Sequence, residues 1–353
     1  MSSIEDVAAK AGVSVKTVSR VLSGFDGVRQ QTRDRVEQAM RELEYYPSAA
    51  ARSLRGKKIG TIGVIGDHLT TTPHAFDIVA GIQSECEKQD RVMMIGEMSG
   101  SKSAFNKLVE RFRQQRADAI IFATDFMQDV KIDQSFSLCP LVLVNCRDRE
   151  KDYPAVVPND RAGGRIAASE LLDLGHRRIA YLGLSEFIQA THERKKGYEA
   201  ALRGAGVEID PDLIRIGVKE GVPTDHKHEQ NGNRAETDDE FEPLLDVLRD
   251  LFALAEPPTA IMCGNDKMAM RTYFLLRRFL DRDIPNDVSI VGYDDYRLIS
   301  ENLVPSLTTV LLPYFKMGAA AARLAVSDDL KPGVRKISGE LIVRESTGAP
   351  VSS

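Results

Sequence analysis

Two basic residues near the N-terminus have types and a spacing suited to binding nucleic acid. Residues 4–11 carry apolar side chains at helical spacing up to Gly12, and Ser14 can cap a second helix with its own apolar face. At 100° per residue, Lys16 and Arg20 lie on the opposite side of that second helix. The pattern predicts a helix-turn-helix whose second helix can enter a major groove, with a merely solvated charged face as the alternative.

The segment 46–58 has the composition of a helix that forms only against a partner. Pro47 suits a helix start and Gly56 a helix end, yet so short a helix is unstable alone in water. The segment is too polar to be buried, and it carries four basic residues for phosphates and one exposed apolar residue, Leu54. We expect this hinge helix to fold on DNA, with Arg55 near phosphates and Leu54 inserted between base steps of the minor groove.

Polar and aromatic side chains also follow the ends of several short apolar runs farther along the chain. These candidates are Asp67, His68, Thr70, Thr72, His74, Phe76, Thr124, Asp125, Asn145, Arg147, Asn265, Asp266, Asp294 and Asp295. Carboxylate, amide and aromatic groups that converge on one cleft would suit the hydroxyls of a polyol. Each has a purely structural alternative, because Asn and Asp are common turn residues.

The elements that must position these groups alternate regularly. Apolar runs typical of strands begin at 58, 92, 119, 141, 179, 260, 289 and 341, and helices are predicted over 31–43, 76–89, 103–115, 163–174, 194–205, 241–254 and 267–281. The alternation after residue 58 predicts parallel sheets covered on both faces, and two such units in tandem predict a bilobed body. Ligands in this architecture bind beyond the carboxyl ends of the strands.

Composition and charge limit the classes of function. The chain has 353 residues, 42% of them hydrophobic, and no apolar run approaches the roughly 18 residues of a membrane span. The net charge of −5 is unevenly distributed, since residues 1–58 carry eleven Lys or Arg against seven Asp or Glu, and the rest carries 36 against 45. A basic head on an acidic body is expected where one end alone meets phosphates.

Several signals for other classes are missing from the sequence. No secretory signal opens it, so we expect a cytoplasmic protein without a membrane anchor. The four cysteines are widely spaced, which argues against a disulfide framework or a zinc site, and we expect neither a metal nor a cofactor. The absence of a P-loop, a dinucleotide fingerprint and a nucleophile elbow makes an enzyme acting on a sugar the weaker alternative.

In several ordered motifs the sequence resembles the lactose-repressor (LacI) family of bacterial transcription regulators. The matching stretches are 4–14 (IEDVAAKAGVS), 17–22 (TVSRVL), 32–33 (TR) and 46–54 (YPSAAARSL), and the resemblance continues to the C-terminus. It implies a three-helix head over 1–46, a hinge helix and linker over 47–58, and a body over 59–353. The body would be periplasmic-binding-protein-like, with two doubly wound parallel sheets in lobes formed by 59–158 with 312–335 and by 159–311 with 336–353.

The resemblance also implies roles for single residues of the head. Base edges would be contacted by Val15, Lys16 and Arg20, and phosphates by Ser14, Thr17 and Ser19. Lysine and arginine can donate to guanine O6 and N7, and valine can contact a thymine methyl. Arg29 departs from the small hydroxyl residue that the family often has there, and it would either bind a phosphate or be solvated.

In the body the resemblance implies an effector site. Arg194, Asn265 and Asp294 match the family's effector-binding arginine, asparagine and aspartate, and the further candidates are His68, Phe76, Asp125 and Asn145. The segment 221–240 is longer and more polar than the usual connection and could cover the cleft as a lid.

The expected function is therefore an allosteric repressor, a homodimer whose affinity for double-stranded operator DNA is controlled by a small ligand, most simply a carbohydrate. A purine or a sugar phosphate is the alternative ligand. No leucine heptad follows the last predicted strand, which favours a dimer over a tetramer.

Overall fold

The computed structural model of the chain describes residues 2–23, 25–45, 60–70, 72, 75–133, 136, 139–150, 153–217 and 241–351. The chain divides into two units, Met1–Gly60 and Thr61–Ser353, which we call the head and the body. No helix within the described ranges is long and apolar enough to cross a membrane. The predicted hinge helix at 47–58 and the predicted lid at 221–240 lie outside the described residues.

The head is a bundle of three short helices whose ends follow from local sequence. They are α1 (Ile4–Ala11), α2 (Val15–Leu22) and α3 (Gln30–Glu42). Ser3 and Asp6 form a capping box at the start of α1, and Gly12 ends that helix with a φ of 64°, a conformation that favours glycine. Ser14 caps α2 by accepting a hydrogen bond from the Thr17 amide at 3.1 Å. The predicted helix-turn-helix is confirmed.

A small apolar core holds the three helices together. Val7, Val18 and Val36, one from each helix, are fully buried, and smaller side chains such as Ala8 and Ala39 pack around them. Because the apolar positions of each helix recur every three to four residues, burying them leaves the opposite faces in solvent. The outer face of α2 is thereby fixed by the core of the head.

The first sheet of the body has six parallel strands. Its strands are β1 (Thr61–Asp67), β2 (Val92–Glu97), β3 (Ala119–Val130), β4 (Leu141–Asp148), β5 (Ala155–Pro158) and β11 (Val334–Ile337), in the order β11-β5-β4-β3-β1-β2. The helices that pack on it are α4 (Phe76–Lys88), α5 (Lys102–Gln114) and α11 (Tyr314–Ala325). Its central strands are buried on both faces, as their continuous apolar runs predict.

The second sheet also has six strands, which are parallel except for β12 (Leu341–Ile342), the last strand in the chain. Its strands are β6 (Ile179–Gly183), β7 (Ile214–Ile216), β8 (Ala260–Cys263), β9 (Ser289–Asp294), β10 (Thr308–Leu311) and β12 (Leu341–Ile342), in the order β12-β10-β9-β8-β6-β7. Its helices are α6 (Asp160–Asp173), α7 (Gln189–Gly204), α8 (Phe241–Phe252), α9 (Asp266–Phe279) and α10 (Arg297–Ser300), with a 3₁₀ turn at Pro211–Leu213.

The predicted pair of doubly wound sheets is confirmed, but several elements differ from the predictions. The strands β5, β7, β10 and β11 and the helix α11 were not predicted, and β12 is shorter than the predicted strand over 341–346. Strand β3 runs to Val130 instead of ending at Phe122, with an irregular register between Ala123 and Gln128. Polar residues follow the apolar run there, so alternating hydrophobicity could not mark the true end of the strand.

Glycines let α6 and α7 approach closely in the second lobe. A Cβ atom on Gly164 would collide with the backbone of Arg194, and one on Gly197 would collide with the backbone of α6. A Cβ atom on Gly163 would collide with the hydroxyl of Tyr293. This backbone contact therefore sets where Arg194 and the ring of Tyr293 meet.

Candidate functional site

The outer face of α2 presents the side chains predicted to read DNA. Lys16 and Arg20 are exposed, and Val15 is 40% exposed. The hydroxyls of Ser14 and Thr17 are 2.9 Å apart, so these two side chains bond to each other at the start of the helix. The first turn of α2 is thereby held in place while the two cations and the valine remain accessible.

An aromatic ring lies against the guanidinium of Arg20. Its carbon Cζ is 5.4 Å from the ring centroid of Phe25, whose backbone carbonyl accepts a hydrogen bond from Nη2 of Arg33 at 3.2 Å. Ser19 lies half-buried on the same helix, and Arg29 is the exposed residue that precedes α3, without a side-chain capping bond. Such cation–π contacts at exposed sites are weak, about 0.5–1 kcal/mol, so Arg20 can exchange the ring for a base edge.

The remaining predicted DNA contacts, Leu54 and Arg55, lie outside the described residues. Residues 1–45 carry seven Lys or Arg and seven Asp or Glu, whereas 46–58 carries four basic residues and no acidic one. The entire positive surplus of the first 58 residues therefore belongs to 46–58. Attraction to phosphates in general is expected from that segment, and discrimination between sequences from α2.

A cavity of about 180 Å³ lies between the carboxyl ends of the two sheets of the body. Five of the seven predicted effector-binding residues line it, namely Asp125, Asn145, Arg194, Asn265 and Asp294. The first two come from β3 and β4 of the first sheet, and the other three come from α7, the start of α9 and the end of β9. The structure thus brings together residues up to 169 positions apart in the chain.

Arg194 is the buried centre of this cavity. Its Nε donates to Oδ1 of Asp160 at 2.8 Å and its Nη1 donates to the carbonyl of Gly264 at 2.6 Å, while Cζ lies 3.6 Å from the ring centroid of Tyr293. The side chain is only 5% exposed. Its Nη2 donates to no described residue, which leaves one charge-assisted donor for a ligand.

The carboxylate of Asp294 stands beside this guanidinium without a close hydrogen bond. Its Oδ1 is 3.9 Å from Nη1 of Arg194, and the residue has a φ of 121°, a strained conformation of the kind that clusters at functional sites. Burial raises the pKa of Asp294, and the positive charge of Arg194 lowers it. The carboxylates of Asp266 and Asp160 raise the pKa of Asp294 further. The site therefore holds an acceptor that gains from any donor a ligand supplies.

Asp266 lies behind the cavity and acts as an anchor. Its carboxylate accepts hydrogen bonds from Oγ1 of Thr309 at 2.6 Å and from the Tyr296 amide at 2.7 Å. Burial raises the pKa of Asp266, whereas these two hydrogen bonds lower it. The carboxylate of Asp295 also raises the pKa of Asp266. This residue belongs to the supporting structure of the site.

Asn145 offers a second acceptor on the opposite wall. It is fully buried with a φ of 59°, and its Nδ2 donates to the Thr124 carbonyl and to the Tyr314 hydroxyl, both at 3.1 Å. The Tyr314 hydroxyl in turn donates to the Asp125 carbonyl at 2.8 Å. Oδ1 of Asn145 is buried and has no hydrogen-bond partner among the described residues. A buried acceptor left unpaired is costly, which makes it a ready partner for a ligand hydroxyl.

Asn265 combines a structural role with an available donor. Its Oδ1 accepts a hydrogen bond from the Met268 amide at 2.8 Å and so caps α9. The structural alternative raised from the sequence therefore holds for the oxygen. Nδ2 of Asn265 bonds to no residue in the described ranges, and it lines the cavity as a donor.

His68 and Phe76 do not line the cavity. His68 follows β1 in a left-handed turn with a φ of 61°, where its amide donates to Oε1 of Glu97 at 2.7 Å and its ring lies near Asp67. Phe76 begins α4 and is 51% exposed. The turn after β1 directs both side chains elsewhere, so position after a strand was not a sufficient signal.

Sequence reasoning missed several residues that line the cavity. They are Phe126, Met127, Pro158, Asp160, Leu184, Ile188, Ala190, Lys267, Tyr296, Leu312 and Tyr314. Asp160 and Tyr314 belong to α6 and to the unpredicted helix α11, which follow the unpredicted strands β5 and β10. Recognising those two short strands would have pointed to both residues, because they too begin at strand ends.

The charges of the lining nearly balance, because burial raises the pKa of Asp294 to about 8 and favours its protonated form at neutral pH. The lining contains the carboxylates of Asp125, Asp160 and Asp294 and the cations of Arg194 and Lys267. No group of three or more metal-binding side chains occurs in the part of the chain that the structure describes. Because Arg194 is already paired with Asp160, an anionic ligand gains little from it, and the available donors and acceptors suit a neutral, hydroxyl-rich molecule.

Three sequence profiles match the chain and together cover it almost completely. "Bacterial regulatory proteins, lacI family" matches residues 3–48, "Periplasmic binding proteins and sugar binding domain of LacI family" matches 59–221, and "Periplasmic binding protein-like domain" matches 168–347. The sucrose operon repressor of Escherichia coli is 31% identical over 98% of this chain and 100% of its own length.

Solved structures give the same result. The Lac repressor dimer bound to operator and the anti-inducer ONPF is 25% identical, with a TM-score of 0.76 and coverage of 99% of both chains. The complex of the transcriptional regulator CelR with cellobiose is 26% identical, with a TM-score of 0.61 over 98% of this chain and 100% of that one. The match thus extends over head and body alike.

Proposed function

The chain belongs to the LacI family of bacterial regulatory proteins, and from that premise we propose that it represses transcription by binding operator DNA while a small neutral carbohydrate in the cleft sets its affinity. As a member of that family it is a ligand-controlled DNA-binding regulator and not an enzyme. We also propose that it acts as a homodimer in the cytoplasm, with a head at 1–46, a hinge at 47–58 and a body at 59–353.

One observation carries the choice of ligand class, the set of unused polar groups around the cavity. Nη2 of Arg194 and Nδ2 of Asn265 are donors, and Oδ1 of Asn145 and the carboxylate of Asp294 are acceptors, all without a close partner. A sugar ring presents hydroxyls that both donate and accept, so it can satisfy all four groups. Arg194, the buried cation of the lining, is already paired with Asp160, which disfavours a sugar phosphate as the ligand.

The size of the cavity points to a compact ligand. Its 180 Å³ lies below the roughly 300–1,000 Å³ typical of sites for drug-sized molecules. A monosaccharide fits this space better than a longer oligosaccharide.

In the proposed mechanism, α2 reads bases and the hinge supplies the general attraction to DNA. Val15, Lys16 and Arg20 contact base edges, while phosphates are bound by Ser14, Thr17, Ser19, Arg29 and Arg55. Leu54 enters the minor groove when 47–58 folds on the operator. Sugar that binds one arrangement of the lobes more tightly shifts the population toward it, and so changes operator affinity by the difference in binding free energy alone.

A two-stage experiment tests this function. A thermal-shift screen over monosaccharides, disaccharides, purines and sugar phosphates identifies the ligand, because a ligand that binds the native state raises its melting temperature. A gel-shift assay with the DNA upstream of the gene, with and without that ligand, then measures the control of DNA binding. A purine or a sugar phosphate as the stabilising ligand in the cleft would refute the carbohydrate, and a fragment that binds no better than random DNA would refute the operator.

A further inference from the structure

A second cavity, of about 300 Å³, adjoins the effector cleft and is richer in cations. It shares the wall residues Met127, Pro158 and Asp160 with the cleft. Four cations line it, Arg147, Arg161, Lys196 and Lys336, and we call this surface the basic groove. It stands out because the body as a whole is acidic, with 36 basic and 45 acidic residues from 59 onward.

Two of the four cations of the basic groove have counter-ions and two do not. Nε of Arg147 donates to Oδ1 of Asp129 at 2.8 Å. Asp160 is buried against Arg194 at 2.8 Å, and Glu193 pairs with Nζ of Lys196 at 2.6 Å. Arg161 and Lys336 form no ion pair or hydrogen bond with a side chain in the described ranges. Two cations are thus left without counter-charges at a concave surface.

Three of the four cations act electrostatically on the same carboxylate, that of Glu193. The hydrogen bond from Lys196 lowers the pKa of Glu193, and desolvation of this carboxylate raises it. The charges of Lys196, Lys336 and Arg161 lower the pKa of Glu193 further. Cations on an ordinary solvated face point apart and act on different neighbours. Here three of them act on one carboxylate, so an anion in the groove would meet them together.

Both lobes contribute to the basic groove. Arg147 and Lys336 lie on β4 and β11 of the first sheet, and Arg161 and Lys196 lie on α6 and α7 of the second lobe. A bound anion would therefore connect the two lobes next to Asp160, the residue that holds Arg194 in the cleft. Any preference of the anion for one arrangement of the lobes would be felt at the effector site.

One uncharged side chain of the groove indicates that the ligand also carries a hydroxyl group. Gln189 lines the groove, and its buried Oε1 has no hydrogen-bond partner among the described residues. An inorganic ion without a hydroxyl leaves that acceptor unpaired, and the volume exceeds what a lone phosphate needs. A phosphate group attached to a hydroxylated carbon skeleton satisfies the cations and the amide together.

We propose that the basic groove is a second ligand site, which binds a small organic phosphate monoester between the two lobes chiefly through Arg161 and Lys336, with Lys196 and Arg147 adding positive charge at its edge. The guanidinium of Arg161 offers a bidentate fork for the phosphate oxygens, and the lysines add point charges. This site differs from the effector cleft in its charge and its residues, and it does not depend on the carbohydrate proposed for the cleft.

Calorimetric titration of the full chain at low salt tests the site. The probes are ribose 5-phosphate, glycerol 3-phosphate and inorganic phosphate, with ribose and glycerol as uncharged matches. The groove variant is Arg161→Gln with Lys336→Gln. The control is Lys107→Gln with Arg111→Gln, which removes the same charge from the exposed face of α5, away from the groove.

We expect the parent and the control to bind ribose 5-phosphate, and the groove variant to bind it at least about tenfold more weakly, as loss of two charge-assisted contacts implies. Raised salt should weaken binding to the parent, because the groove is open to solvent. Equal affinity in parent and groove variant would overturn the proposal, as would loss of phosphate binding in Asn145→Ala, which places the anion in the cleft. Failure of every phosphate probe to bind the parent, with or without a loss of DNA binding in the groove variant, would also overturn it.

Discussion

Two arginines, one in the head and one in the body, lie over aromatic rings in opposite surroundings. Arg20 is exposed, 5.4 Å from the ring of Phe25, whereas Arg194 is buried, 3.6 Å from the ring of Tyr293 and bonded to Asp160. In the head, water screens the charge and the side chain can change partners. In the cleft, Nε and Nη1 of Arg194 are held by Asp160 and Gly264, and its Nη2 is left for a ligand. The head is therefore built to meet a large charged partner, and the cleft to hold a small neutral one.

The comparison shows that burial determines how much each charged side chain contributes to the stability of the unliganded protein. An exposed cation adds little to the stability of the fold and is free to add specificity in a complex. A buried cation among carboxylates is required by the fold itself, because its removal leaves unpaired buried charges. Loss of Arg194 should damage stability and ligand binding together, and loss of Arg20 should damage DNA binding alone.

The largest effect is expected from Arg194→Ala. It leaves the carboxylates of Asp160 and Asp294 buried without their cation, and removal of one partner from such a group typically costs about 3–5 kcal/mol of stability. Calorimetric unfolding of the full chain measures it, with Arg20→Ala as the exposed match, expected within about 0.5 kcal/mol of the parent. The loss should shrink on acidification, because protonation neutralises the stranded carboxylates. Equal stability of the two variants would contradict the claim that the buried arginine stabilises the fold and the exposed one does not.

Arg20→Ala should lower operator affinity by about 1–3 kcal/mol, the usual contribution of a bidentate base contact. Arg41→Ala is the matched control, since it removes an equal charge from the exposed end of α3. Fluorescence anisotropy with operator and with random DNA measures both. We expect Arg20→Ala to lose discrimination between the two DNAs and Arg41→Ala to keep it. A uniform loss on both DNAs for Arg20→Ala would make this residue a phosphate contact.

Asn145→Ala should weaken sugar binding by about 1–2 kcal/mol, because the ligand loses the buried Oδ1 acceptor. Phe76→Ala is the control, as Phe76 is exposed and outside the cavity. Calorimetry with the sugar found by thermal shift measures both affinities, and operator affinity without sugar should be unchanged in both. A larger loss for Phe76→Ala would show that the strand-end prediction was right and the cavity wrongly assigned.

The smallest effect is expected from pH. Burial raises the pKa of Asp294 to about 8, and hydroxyls that donate to its carboxylate favour the charged form and lower this pKa in the complex. Proton loss then accompanies binding, so sugar affinity should rise as pH increases from 6 through about 8 and level off above it. Asp294→Asn should remove the slope. An affinity that falls over this range would mean that Asp294 donates to the ligand in its protonated form.

The sequence predicted the parts of this molecule in which apolar periodicity and chemistry coincide. The three head helices and the central strands of both sheets belong to such parts, whereas the cavity residues Arg194, Asn265 and Asp294 were implied by the family resemblance. Sequence reasoning missed β5 and β10, each four residues long, and with them Asp160 and Tyr314. Strand β8 is equally short and was predicted because all four of its residues are apolar, whereas β5 is bounded by prolines and β10 begins with two threonines.

Other departures come from tertiary context. The sequence could not show that the turn after β1 is held by a hydrogen bond from the His68 amide to Glu97, because that contact depends on a strand about thirty residues away. Nor could it reveal the basic groove, whose cations come from four separate elements. The summed charge of the chain hid both the groove and the concentration of positive charge in 46–58.

The central claim is that ligand in the cleft and operator on the head share one free-energy coupling. Operator affinity measured with and without saturating sugar gives the coupling, and sugar affinity measured with and without operator must give the same factor. We predict a coupling of about 1–3 kcal/mol, or roughly 5–150-fold, equal in both directions for the parent chain. Operator affinity that does not change when sugar saturates the cleft would contradict the account.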